Sequence, residues 1–179
     1  MTLSATPARH PRPPAVAGMF YPGDPATLAR DVDDALAGAR PLAGAAPKAL
    51  IAPHAGYVYS GPVAASAYAA LEPARSAIRR VVLLGPCHRV AVRGLALPSA
   101  DAFDTPLGRV PVDREAVAAL AGLPQVVVSG AAHAQEHSLE VQLPFLQTVL
   151  GEFSLLPLAV GETTASEVAE VLERVWGGD

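Results

Sequence analysis

Cysteine is almost missing from this 179-residue chain: Cys87 stands alone, so no intrachain disulfide can form and an oxidising compartment gains no support. Aromatic residues amount to 5%, too few for a surface on which bases stack. Charged residues reach only 17%, and the net charge of −4 contains no block of one sign. The basic stripe that tracks a phosphate backbone is therefore lacking, and no nucleic-acid partner is expected. No uninterrupted apolar run approaches the roughly 20 residues of a membrane span, because proline breaks each long one. The stretch Met1 to His10 lacks the apolar centre of a secretory signal. These absences point to a soluble, cytoplasmic protein without a membrane partner.

Small apolar residues are what the chain has in plenty. Hydrophobic residues make up 51%, enough for a full core, and the abundance of Ala predicts closely packed helices. The length suits one domain. Residues 1–15, rich in Pro, Ala and Arg, read as a loose lead-in, and residues 16–179 as the folded domain.

Elements can be placed from caps and periodicity. Asp24-Pro25 starts a helix, with Leu28, Val32 and Leu36 along one stripe and Gly38 as its end. Lys48 to Ala52, between Pro47 and Pro53, reads as a short buried strand, and Gly61-Pro62 as the opening of a second helix. Arg79 to Pro86 is β-branched and apolar on both faces, as in a covered parallel sheet. Strands are expected at 92–97, 125–129 and 153–160, and helices at 113–120, 137–150 and 166–176, with a disturbance at Pro144. Thr105 to Gly108 reads as a turn. The alternation predicts an α/β fold with a largely parallel central sheet and helices on both faces.

Two segments echo each other. "ALIAPH" and "VLLGPCH" are each an apolar run, a small residue, a proline and then a histidine, with Cys87 between in the second. Ligand sites in open α/β sheets lie outside the carboxyl ends of strands. His54 and His88 thus reach the edge where ligands bind, and imidazole is the commonest metal ligand. Singly, each reads as a loop histidine; together they favour a metal or catalytic cleft. Tyr57 and Tyr59 follow His54 and offer hydroxyls for acid–base work, or one of them simply packs. Cys87 reads as a small buried residue before it reads as a thiolate.

A second constellation is His133-Ala134-Gln135-Glu136-His137, followed by Glu140. On a helix, His133, Glu136, His137 and Glu140 would share one face. His-x-x-Glu-His also matches the inverted zinc-protease pattern, in which Glu136 would be the base. The small residues from Ser129 to Ala134 are loop-like and argue against one regular helix, so capping and hydrogen bonding rank beside catalysis.

The motifs "GMFYPGD", "IAPHAGYVYSGPVAASAY", "LLGPCHRV", "FDTPLGRVPVD" and "EHSLEVQLPFLQ", in this order, resemble the Memo family, whose prokaryotic members are called AmmeMemoRadiSam system protein B. The resemblance runs from about Val16 to the end. It implies a fold like that of the LigB-like class III extradiol dioxygenases. It also implies a metal cleft holding non-haem iron(II), with copper or zinc as alternatives. His54 and His88 would be metal ligands, and Glu136, His137 and Tyr57 would be the catalytic candidates of the same cleft. The family pattern continues beyond Asp179 with a Ser-Ser-Asp…His segment and a cysteine ligand, so the resemblance implies a chain lacking the C-terminal part. Cys87 does not match that cysteine. The implied partners are a small-molecule or peptide ligand, with a functional link to AMMECR1-domain and radical SAM proteins. Three functions follow: a dioxygenase-like metal protein, a non-catalytic ligand-binding module with a vestigial site, and a zinc hydrolase using His133 and His137.

Overall fold

A computed structural model describes residues 10–40 and 45–176. In chain order the helices and strands are α1 (Pro25–Ala37), α2 (Tyr57–Ala69), β1 (Arg80–Pro86), β2 (Leu95–Leu97), β3 (Ala102–Thr105), β4 (Gly108–Pro111), α3 (Arg114–Ala119), β5 (Val126–Val128), α4 (Gly130–Ala134), α5 (Leu143–Leu150), β6 (Ser154–Val160) and α6 (Ala165–Val175). Single 3₁₀ turns precede β1 and α5, at Glu72–Ala74 and Glu140–Gln142.

The main sheet has the order β1-β6-β2-β5. β1 pairs parallel with β6 and β2 parallel with β5, while β2 and β6 meet antiparallel. The sheet is therefore largely parallel, as expected. Alternation along its two longest strands divides the core. Val81, Leu83 and Leu155 face a cluster built with α1, α2 and α5. Val82, Leu84, Leu156 and Leu158 face a second cluster with α3 and α6. Leu155, Leu156 and Leu158 are fully buried, and each contributes about 1.5–3 kcal/mol of transfer free energy. Helices thus cover both faces.

The caps do the work their residue types allow. Asp24 accepts from Thr27 N at 2.8 Å and α1 begins at Pro25. Asp113 caps α3, and Thr164 with Glu167 forms a reciprocal capping box on α6. The Thr105–Gly108 turn joins the hairpin β3–β4.

Three expectations are corrected. Lys48 to Ala52 is extended but is not a strand: Leu50 and Ala52 pack on the core, Ile51 is wholly exposed, and no described neighbour supplies a ladder. Helix α2 starts at Tyr57, four residues before Gly61, because Tyr57 N is already held by the Phe20 carbonyl at 2.7 Å. Residues 137–150 are not one helix. Pro144 lies in the first turn of α5, where its missing N–H is not needed, and so starts the helix instead of disturbing it. The lead-in is described from residue 10, and Arg12 in it is buried and bridges to Phe103. Its residues 1–9 lie outside the described part. Among the described residues no helix is long and apolar enough to cross a membrane.

Candidate metal centre

The end of β1 carries the first histidine. The ladder with β6 runs to Pro86, and Cys87 N adds one more bond to the Val160 carbonyl at 2.9 Å, so His88 emerges directly beyond a fixed strand end. Gly85 gives this edge its shape. A Cβ there would stand 2.7 Å from Ser138 Oγ and 3.0 Å from Leu139 Cδ2. The missing side chain lets the 136–139 turn lie against β1, where Ser138 Oγ donates to the Pro86 carbonyl at 2.8 Å.

That turn carries Glu136 and His137. The buried guanidinium of Arg12 pins it from behind, donating to the carbonyls of His133 at 2.6 Å and Glu136 at 2.7 Å. Arg12 also pairs with Glu140 at 2.6 Å, in a pair that is closed to solvent. Glu140 accepts in addition from Ala15 N, Val16 N and the Tyr21 hydroxyl. The N-terminal segment is thereby fastened to the turn.

His54 comes from the third segment. The Gln142 amide donates to the Pro53 carbonyl at 3.1 Å, and Tyr68 donates to Gln142 Oε1 at 2.7 Å. These bonds hold the backbone just before His54.

The three segments bring His54, His88 and His137 together. One ring nitrogen from each lies within 4.8 Å of the others. The ring centroids are 5.3 Å apart for His54 and His88, 5.9 Å for His54 and His137, and 4.7 Å for His88 and His137, the last pair stacked. Phe20 closes one side, 4.7 Å from the His137 ring. A cleft of about 540 Å³ opens beside the cluster, lined by Phe20, Pro53, Tyr59, His54 and His137 among others.

The electrostatics favour neutral imidazole at His137. Burial lowers its pKa, and the neighbouring His88, His54 and Arg89 add to this while Glu136 opposes it. Metal ligation needs that neutral form. Three imidazoles suit iron, copper or zinc better than magnesium or calcium. The buried Nδ1 of His137 has no hydrogen-bond partner, an unmet polar atom at the cluster. The residues present therefore fit a transition-metal ion. Glu136 lies behind His88, almost wholly buried: Oε1 is 2.9 Å from His88 Nδ1, and Oε2 accepts from His88 N at 2.6 Å. Burial alone would raise its carboxyl pKa, but the hydrogen bonds from His88 and Ser138 hold it down at about 2.

Other candidates sit elsewhere. His133 and His137 share no helix, because α4 ends at Ala134. His133 is buried with Nε2 donating to the Ala96 carbonyl at 2.8 Å and its ring edge-on to Phe103, outside the cluster. Burial, chiefly, lowers its pKa to about 4, with Arg12 assisting. Tyr57 donates to the Val141 carbonyl at 2.7 Å and packs between Tyr21 and Phe145, and it does not line the cleft. Cys87 Sγ rests on the Val90 carbonyl at 3.1 Å. Sequence reasoning missed Arg12 and Gly85. Arg12 stands in a Pro-rich stretch that gives no hint of burial. Gly85 could have been noticed as the small residue common to the strand-end motif.

Fold and cluster together define a class: α/β proteins with histidines gathered beyond the carboxyl end of a covered parallel strand. Comparison with known proteins narrows the class. The family described as Memo-like protein matches residues 12–176, and the chain belongs to that family. It is 43% identical over 150 residues to a MEMO1 family protein of Aquifex aeolicus, covering 83% of this chain and 54% of that one. To MEMO1 family proteins of Ignicoccus hospitalis and Thermotoga neapolitana it is 40% identical, over 92% and 90% of this chain and 61% of each relative. The chain thus spans less than two thirds of the length of these relatives.

Proposed function

We propose that this Memo-family protein binds a redox-active transition metal, iron(II) in the first place, at His54 and His88, with His137 as the third group of the cleft. The observation that carries the reading is the approach of the three imidazoles from three separate segments. A non-haem iron site needs three protein ligands on one side and open positions on the other. When bound, the metal would supply dioxygenase-like oxidation chemistry. The chain's own residues hold the rest of the cleft. Phe20 and Tyr59 form its apolar wall, and His137 is placed to ligate or to exchange a proton with a bound small molecule. Copper and zinc suit the same nitrogens.

Anaerobic titration with iron(II) tests the reading. Wild type should bind one ion per chain, and His54→Ala and His88→Ala should each weaken binding at least tenfold. If neither substitution lowers affinity, the paired-histidine site is wrong.

A second reading, a non-catalytic module for an apolar peptide or small ligand, is favoured by exposed Val58, Tyr59 and Val63 on α2 beside the cleft. Peptide binding that survives metal removal would promote it. The zinc-hydrolase reading loses its basis, since His133 lies outside the cluster.

A further inference from the structure

We propose that Glu136 is a positioning residue which locks the His88 ring in one tautomer and so aims its Nε2 into the histidine cluster. The inference rests on the metal-site reading above and concerns how this chain prepares that site.

The geometry is a two-point grip. One carboxylate oxygen, Oε2, accepts from the His88 backbone N–H at 2.6 Å, and the other, Oε1, lies 2.9 Å from the His88 ring Nδ1. Oε1 also accepts from Ser138 N at 2.9 Å. Two backbone N–H groups therefore already point at this carboxylate, one on each oxygen. That arrangement suits an acceptor without its own proton, and the His88 Nδ1 must then be the donor. In the neutral ring the remaining nitrogen, Nε2, keeps its lone pair. A hydrogen bond on one imidazole nitrogen commonly decides which nitrogen is left for a metal and raises its basicity.

The grip is selective. His137 follows Glu136 in the chain, yet its Nδ1 lies 3.5 Å from Oε1 and makes no hydrogen bond. The same carboxylate thus fixes one histidine of the cluster and leaves its stacked neighbour unheld. The site combines a hydrogen-bonded imidazole, His88, with one, His137, that is packed between the rings of Phe20 and His88. Glu136 itself is firmly seated. Arg12 holds its carbonyl, Ser138 ties the turn to β1, and the side chain is almost wholly buried. Of the three cluster imidazoles, His88 is the one hydrogen-bonded to this carboxylate.

Nitrogen-15 NMR of the imidazole rings in the metal-free full chain reads this directly. In its neutral form, wild-type His88 should show the Nδ1–H tautomer. Glu136→Gln should return His88 to a tautomer mixture, leave the His133 signals in place, and weaken anaerobic iron(II) binding by about 10- to 100-fold. The wild-type spectrum is informative even if the variant folds poorly. An Nε2–H tautomer for wild-type His88, or a Glu136→Gln protein with unchanged His88 signals and unchanged affinity, would overturn the proposal. A wild type that binds no iron(II) while His88 shows the Nδ1–H form would overturn the metal reading, and with it the ligand-aiming role, but not the tautomer assignment.

Discussion

Replacing Glu140 by glutamine preserves the shape of the side chain and removes its charge, so it isolates what that charge contributes. Glu140 is fully buried and accepts from Arg12 Nη1 at 2.6 Å, Tyr21 Oη at 2.6 Å, Ala15 N at 2.8 Å and Val16 N at 3.0 Å. A glutamine can keep only part of this set, because its NH₂ turns a donor towards other donors. Arg12 is left as a buried cation without a counter-charge. Breaking a buried pair from one side costs about 3–5 kcal/mol, a large share of the roughly 5–15 kcal/mol that holds a domain folded. With a urea m-value of about 2 kcal/mol/M, the midpoint should fall by roughly 1.5–2.5 M at neutral pH. Arg12→Met should cost a similar amount. The double variant Arg12→Met/Glu140→Leu should lose clearly less than the sum, since no unpaired charge remains. A midpoint within roughly 0.5 M of wild type for Glu140→Gln, or an additive cycle, would refute this account of the pair.

Three other outcomes follow from the same structure. Gly85→Ala forces the 136–139 turn off β1 and should cost about 1–3 kcal/mol by overpacking, with iron(II) affinity falling in parallel; Gly85→Ala/Ser138→Gly should recover part of both in denaturation and titration experiments. His133, with a folded pKa near 4 against an ordinary 6.5, takes up its proton more readily when unfolded, so its stability contribution is intact above about pH 6.5 and is lost as the pH falls towards 4. That amounts to about 3 kcal/mol, and urea midpoints across this range should fall less steeply for His133→Gln than for wild type. Tyr57→Phe removes the hydroxyl that donates to the Val141 carbonyl and should cost about 1 kcal/mol, measured by thermal or urea unfolding; an unchanged midpoint would show that water replaces the bond.

Much of the fold could be read where local chemistry and tertiary packing agree. The caps at Asp24 and Asp113 mark helix starts that depend on the first turn alone. β1 and β6 are apolar on both faces because both faces are covered, and the covering leaves its mark on the residues. Lys48 to Ala52 has the same composition, but a strand needs a neighbour, and composition cannot say whether one is present. Two histidines of the candidate cluster, His54 and His88, could be picked out in the sequence, each after a proline that ends an extended run. The role of the 133–140 segment was not. It turns between a one-turn helix and a 3₁₀ turn, and periodicity reports nothing on pieces that short. Arg12 and Glu140 were hidden for a different reason: a buried ion pair is a property of two distant positions, and neither one betrays it alone.

The fastening of Arg12 to Glu140 also bears on the order in which the molecule assembles. These partners lie 128 residues apart in sequence, and the bonds from Glu140 to Ala15 and Val16 span nearly as far. Closing so long a loop is entropically unfavourable before other contacts have formed, so the turn that carries Glu136 and His137 acquires its backing late. His137 should then join His54 and His88 late in assembly. A cation added during refolding should then leave the rate of the main folding phase unchanged and act only afterwards, slowing unfolding. The histidine cluster should thus be a product of folding, not its nucleus.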